Sequence, residues 1–330
     1  MDRRILITGG SGYIGSALVP VVAKDYPVVV LETMTFGNPI EDTPNVSFIQ
    51  GDIRDGKLID RIFENEQISD VIHLAGIVTD ELVDMNPGIS RDINNTAMGY
   101  LCSAAARHAV RRFIYASSSS VYGTSDDACS ELSPTNPMTE YAASKLYGEH
   151  LLFDHPTMCN VAVRSATAAG PAPRMRFDTI VNVFSKQAYF DKRITVHGGD
   201  QWRTNIHVAD IADLYRSLLD LPRTNISGHV FNASRSYNQA SELAEMVRDQ
   251  IPCEVFIDKT KPDNRHYRMA SNKITDLTGW RPQRTIQQAI TDNLEYFESG
   301  AIAEPDSDLY VNTRRMASFM KGEQDAGQQA

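Results

Sequence analysis

Cysteine is scarce in this chain, and what there is forms no pattern. Cys102, Cys129, Cys159 and Cys253 stand far apart with no CxxC pair, so neither a disulfide framework nor a zinc site is suggested, and no metal is expected. Long apolar runs are missing too. None reaches the length of a membrane span, and Met1-Asp2-Arg3-Arg4 leads straight into a strand-like run with no signal-peptide core, which gives the expectation of a cytoplasmic protein without a membrane partner. Positive charge is in deficit. A formal net charge of −10 offers no electrostatic footprint for nucleic acid, so an anionic ligand has to be held by a few local Arg or Lys residues.

The 330 residues, 42% of them hydrophobic and 22% charged, suit one large α/β domain carrying a smaller second one. Through the first half, Val- and Ile-rich runs alternate with helical ones, the rhythm of a parallel sheet covered on both faces. The expected fold is a Rossmann-type, doubly wound parallel sheet over residues 1–165. Strand and helix contributions from about 200–235 join it, a mixed α/β substrate domain spans 166–305, and a polar C-terminal tail covers 306–330. No internal repeat is present.

The chain is organised around Ile5-Leu6-Ile7-Thr8-Gly9-Gly10-Ser11-Gly12-Tyr13-Ile14-Gly15, an apolar run that breaks into glycines and then turns helical. Glycine tolerates φ > 0 and lets a ligand approach the backbone, and free N–H groups at a helix N-terminus favour a pyrophosphate. A dinucleotide is the expected occupant, although a glycine-rich turn without a ligand reads the same way. A second buried-type strand, Val28-Val29-Val30-Leu31-Glu32, ends in an acid placed to accept hydrogen bonds from an adenosine ribose. Glu32 would repel a 2′-phosphate, and no Arg follows in Thr33-Met34-Thr35-Phe36-Gly37, so NAD is expected over NADP; the alternative is an ordinary solvated acid. Asp52 and Ile53, after a third strand Val46–Gln50, can meet an adenine edge, or Asp52 can cap the following helix. Leu74, Ala75 and Gly76 end a fourth strand with room for close approach by a cofactor, and Thr79 lies in the loop beyond. A long amphipathic helix from about Pro87 to His108 holds Asn94.

A fifth strand, Arg112–Ala116, runs into Ser117-Ser118-Ser119-Ser120-Val121-Tyr122-Gly123 on the edge of the sheet where open α/β sheets bind ligands, or into a plain polar turn. Tyr141 and Lys145, four apart, project from one helix face. A neighbouring ammonium stabilises a phenolate and lowers a pKa that is ordinarily about 10, so the pair suits acid–base work; a solvated i,i+4 pair is the plain reading. Arg174 and Arg176 lie in a Gly-Pro loop, and Arg203 beside Trp202 can donate a fork of hydrogen bonds to phosphate or make a surface salt bridge. Arg265 sits in a further cationic loop. His207 and Asp210 read as structural polar residues joining the two domains.

Together these residues resemble the extended short-chain dehydrogenases/reductases, and within them the NAD-dependent epimerase/dehydratase family, which acts mainly on nucleotide sugars. The likeness covers about residues 4–300 and rests on Thr8-Gly9-x-x-Gly12-x-x-Gly15, Gly51-Asp52-Ile53-Arg54-Asp55, Ser117-Ser118-x-x-Val121-Tyr122-Gly123, Tyr141-x-x-x-Lys145, and Arg203 with His207-Val208-x-Asp210. It implies Tyr141 as acid/base, Lys145 on the nicotinamide ribose and on Tyr141, and Ser118 on the reacting oxygen. It also implies Arg203 and Arg265 on the substrate diphosphate, Asn94 as the family's helix Asn, and a homodimer through a four-helix bundle. Thr79, Ser119, Thr167 and Arg174 complete the expected substrate contacts; Gly9, Gly12, Tyr13, Ile14, Gly15, Glu32, Asp52, Ile53, Leu74, Ala75, Gly76 and Asn94 complete those of NAD. Two departures are informative. Where 4,6-dehydratases have an acid two residues after the catalytic Ser/Thr, this chain has Ser120, and Thr167 replaces an Asn common in sugar epimerases. The expected reaction is a nucleotide-sugar 4-epimerisation through a 4-keto intermediate. The alternatives are an NAD(P)-dependent reductase or dehydrogenase of a keto sugar, and a non-catalytic NAD-binding protein.

Overall fold

The computed structural model describes residues 3–260 and 266–328, with side chains as far as residue 320. Five strands and their crossovers come first: β1 (Ile5–Thr8), α1 (Tyr13–Ala23), β2 (Val28–Glu32), β3 (Val46–Gln50), α2 (Gly56–Glu66), β4 (Asp70–His73), α3 (Asp80–Met85), then α4 (Pro87–Arg91), which continues through a π turn at Asp92–Thr96 into α5 (Ala97–Arg107), and β5 (Arg112–Ser118). After α6 (Glu140–Phe153) follow β6 (Cys159–Ser165), β7 (Thr167–Ala169), α7 (Ile180–Lys186), β8 (Trp202–His207), α8 (Val208–Asp220), β9 (His229–Ala233), β10 (Ser236–Gln239), α9 (Ala240–Gln250), α10 (Ile286–Glu298) and α11 (Asn312–Gln328).

Seven strands form one parallel sheet in the order β9-β6-β5-β4-β1-β2-β3, so the chain reverses direction between β1 and β4. Strands of this sheet are continuous apolar runs because both faces are covered; Val28 to Leu31, for example, are all buried. α1 and α8 pack together against one face, and α2, α5 and α6 form the layer on the other. The doubly wound sheet expected from the alternation of runs is therefore the observed one. Its carboxyl edge at the β1/β4 reversal is where such sheets bind ligands.

A smaller body is built from α7, α9, α10 and the parallel pair Arg193–His197 and Glu254–Asp258, around Val181, Phe184, Leu243, Val247 and Ile290. Polar bridges fasten it to the sheet. His207 Nε2 meets Asp292 Oδ2 at 3.0 Å, and Arg284 Nη1 donates to Asp210 Oδ1 at 2.6 Å, which gives His207 and Asp210 the joining role read from the sequence. A three-stranded sheet β10-β8-β7 lies between the two bodies.

The C-terminal segment differs from the expected polar tail. Residues 312–328 are the helix α11, whose Met316 and Met320 are buried in the same core as Leu82, Val83 and Ile93. Among its described side chains three apolar ones, Met316, Phe319 and Met320, pack inward or against that core, too sparse a pattern to mark a helix from the sequence.

Candidate active site

A single cavity runs along the carboxyl edge of the sheet, from β2 and β3 at one end to β5 and α6 at the other. Its floor is the turn between β1 and α1. Gly9 holds φ at +74°, and a Cβ there would stand 2.6 Å from the backbone N of Ala75; a Cβ on Gly15 would stand 2.6 Å from the carbonyl oxygen of Gly10. Only glycine lets the turn, the next strand end and the helix close this tightly. Gly12 caps α1 without a side-chain hydrogen bond, so the N-terminal N–H groups are left to the cavity. That is the cradle a pyrophosphate needs.

Expected cofactor residues line this end together: Gly9, Gly12, Tyr13, Ile14, Gly15, Glu32, Asp52, Ile53, Leu74, Ala75 and Gly76. The Glu32 carboxylate accepts from Ser11 N at 3.3 Å and Thr33 N at 2.9 Å. Burial nevertheless pushes its pKa up. Asp52 is held by Arg54, whose Nη2 is 2.7 Å away, and the cap of α2 is supplied by Asp55 instead. Tyr13 reaches the wall but its hydroxyl is spoken for, donating to Gly170 O at 2.6 Å and accepting from Asn182 Nδ2 at 2.8 Å. Asn94 stands behind the wall. Its amide accepts from Ile77 N at 2.8 Å and donates to Ile77 O at 2.9 Å, so the π turn spends it on shaping the loop after β4.

At the other end the structure brings Ser118, Tyr141 and Lys145 onto one wall. Ser118 is the last residue of β5, and Tyr141 and Lys145 come one turn apart from α6, which packs on β5. Lys145 Nζ donates to Ala116 O at 2.9 Å and lies 5.2 Å from the Tyr115 ring centroid and 5.9 Å from that of Tyr141. Burial brings its pKa down to about 8. Tyr141 departs from the sequence expectation of a pKa lowered by Lys145. Burial raises it, the neighbouring Ser118 hydroxyl and the charge of Arg176 pull it back, and Asp80 pushes it up again. The ammonium addresses the face of the ring rather than the phenolic oxygen, and desolvation of the phenolate is the larger effect.

The substrate-side residues divide. Thr79, Ser119, Thr167 and Arg174 line the cavity. Thr79 does so with φ at +86°, a conformation a β-branched residue rarely adopts and one that collects at functional sites. Ser119 Oγ lies 3.0 Å from Tyr267 OH. Arg203 is buried on β8, its Nη1 donating to Trp202 O at 2.9 Å, and is not among the described cavity-lining residues. Arg265 lies outside the described residues. Sequence reading missed Asp80, Asp178, Tyr267, Asn312, Met316 and Phe319 on the same walls, and singled out Arg176 only as a loop cation. Three of these come from α11.

The sequence pattern of the NAD dependent epimerase/dehydratase family matches residues 5–234. The chain belongs to that family. Its curated relatives include a dTDP-D-glucose 4,6-dehydratase of Mus musculus, 27% identical over 320 residues that cover 89% of this chain and 88% of that one. A UDP-glucose 4-epimerase of Azospirillum brasilense is 29% identical over 310 residues, covering 85% and 87%. Among solved structures, the Thermus thermophilus UDP-glucose 4-epimerase in complex with NAD superposes with a TM-score of 0.81 at 23% identity, covering 89% of this chain and 99% of that one. The epimerase/dehydratase chain is thus an NAD-dependent enzyme of the nucleotide-sugar class, and both reaction types occur among its relatives.

NAD fits the observed walls: a glycine cradle that any Cβ would fill, an uncapped helix N-terminus, and a half-buried carboxylate at the end of β2. Glu32 is expected to set the preference between the two nicotinamide dinucleotides, because a carboxylate at the end of β2 would repel a 2′-phosphate. NAD is expected to bind at least tenfold tighter than NADP, about 1.4 kcal/mol. Calorimetric titration with both dinucleotides checks this, and equal affinities would remove Glu32 from the ribose.

Proposed function

We propose that this epimerase/dehydratase is a nucleotide-sugar 4-epimerase. The observation that supports the reading most is the composition of the wall around Tyr141. It holds one proton-transfer pair, Tyr141 with Ser118, and beyond Ser118 it continues in the hydroxyls of Ser119 and Ser120 rather than in a carboxylate. Elimination of water across two carbons needs a second acid–base group in addition to the one that handles the C4 hydroxyl; oxidation and re-reduction at a single carbon do not.

In this reading bound NAD supplies the hydride acceptor and donor. Tyr141 takes the proton of the C4 hydroxyl and returns it after the 4-keto sugar has presented its other face. Ser118 donates to the reacting oxygen, and its hydroxyl is already organised, accepting from Ser120 N at 3.2 Å and Ser120 Oγ at 2.9 Å. Lys145, fixed by Ala116 O, keeps positive charge beneath the two rings. Arg176, which favours the Tyr141 phenolate, faces the same space paired with Asp178.

One observation favours a second reading. Asp80 lines the cavity, its charge bears on Tyr141, and its Oδ1 is buried without a hydrogen-bond partner among the described residues. A carboxylate there is a candidate second acid–base group, as elimination of water from the sugar would require. The test is the product. Purified protein given nucleotide hexoses with no added cofactor is expected to yield the C4 epimer by NMR; a 4-keto-6-deoxy product would establish the elimination, with Asp80 as its candidate acid.

A further inference from the structure

Two arginines two residues apart in the same loop, Arg174 and Arg176, divide the cavity between them. Arg176 acts on Tyr141, at the reacting end. Arg174 belongs to the opposite end: its backbone N donates to Ser16 Oγ in the first turn of α1 at 3.0 Å, its guanidinium lies 3.9 Å over the Phe36 ring just after β2, and it feels the charge of Glu32. The side chain is 5% exposed, and its Nε has no hydrogen-bond partner among the described residues. Burial, with Arg176 close by, brings its pKa down to about 10, the signature of a cation that lacks a close anion.

What holds Arg174 in place is α11. Its Nη2 donates to Asn312 Oδ1 at 2.6 Å, and Asn312 N donates in turn to Asp178 Oδ2 at 3.2 Å. One turn on, Arg315 Nε donates to Thr35 O at 2.7 Å, tying the helix to the loop that follows Glu32. Met316 and Phe319 then face the cavity opposite Phe36. The end of the cavity that takes the adenosine half of a dinucleotide is therefore roofed by the C-terminal helix.

We propose that Arg174 is a ligand of the NAD pyrophosphate rather than of the substrate diphosphate, and that α11 clamps the adenosine half of the cofactor in place. The clamp rests on the NAD reading of the cavity. It gives a recycling enzyme what it needs, a cofactor that stays through many turnovers while substrate enters and leaves at the other end.

The experiment uses the full-length protein, with ADP as probe of the cofactor half-site and UDP or dTDP as probe of the substrate site. Arg174→Met keeps the length of the stem over Phe36 and removes the charge. It is expected to weaken ADP at least tenfold in calorimetry while the pyrimidine diphosphate binds within twofold of the parent. Arg315→Ala, at an exposed position where no cavity is opened, is expected to speed NAD release from the loaded protein by threefold or more with an unchanged melting temperature. ADP affinity equal to the parent in Arg174→Met, or a loss confined to the pyrimidine diphosphate, overturns the assignment of Arg174. Parent-like NAD release in Arg315→Ala overturns the clamp. A parent protein that binds neither NAD nor ADP overturns the cofactor reading together with this one, so the two failures are distinguishable.

Discussion

Tyr141→Phe is expected to lower kcat by 10² to 10⁴, the usual weight of general acid–base catalysis, or about 3–5 kcal/mol in activation free energy. NAD binding and folding should survive, since one hydroxyl on a cavity wall is worth about 1 kcal/mol or less. The pH profile carries the sharper information. Burial raises the Tyr141 pKa, and the neighbouring Ser118 hydroxyl is the largest of the effects that bring it back. The base form of Tyr141 is the deprotonated one, so a raised pKa moves the rising limb of activity to higher pH and a lowered pKa moves it down. Ser118→Ala removes a favourable contact to the phenolate and should shift that limb upward, in addition to reducing kcat. A Tyr141→Phe enzyme that turns over at the parent rate would place the proton transfer elsewhere.

The largest effect on stability is expected beneath the site. Arg164 on β6 and Glu149 on α6 form a fully enclosed pair, with Nε to Oε1 at 2.9 Å and Nη2 to Oε2 at 2.7 Å. Ser117 donates to the same carboxylate, and Arg164 Nη1 donates to Tyr122 OH at 3.0 Å. The network fastens the helix that carries Tyr141 and Lys145 to the strand ends that carry Ser118. Arg164→Met leaves the Glu149 carboxylate buried without its cation and should cost about 3–5 kcal/mol, read as a lowered urea midpoint. Adding Glu149→Leu should restore much of that loss, because two apolar side chains of similar volume can replace a buried pair. If the single variant unfolds at the parent midpoint, the pair does not hold α6 on the sheet.

Much of this was legible in the sequence, for definite reasons. The Gly9 to Gly15 turn is readable because backbone geometry there admits one residue type, and Tyr141 with Lys145 because helical spacing fixes which side chains share a face. Glu32 was readable as the end of an apolar run. The burial of Arg203 was not, because it depends on β8 pairing with both β7 and β10, elements that are distant in the chain. Spacing likewise places Lys145 near Tyr141 without saying how far its ammonium stands from the ring, which is 5.9 Å to the centroid. Asn94 makes long-range bonds that no local pattern carries, to both backbone groups of Ile77 and to Ser144 Oγ. The roof made by α11 depends on contacts such as Arg315 to Thr35, 280 residues apart, which no local pattern carries.

Epimerisation oxidises and re-reduces a single carbon, and a nucleotide hexose carrying deuterium at C4, incubated with the purified protein in ordinary water without added cofactor, reveals whether this happens here. The C4 epimer is expected to form and to keep its deuterium at C4. Deuterium found at C6 of a 4-keto product lighter by one water would show elimination and rule the epimerisation out.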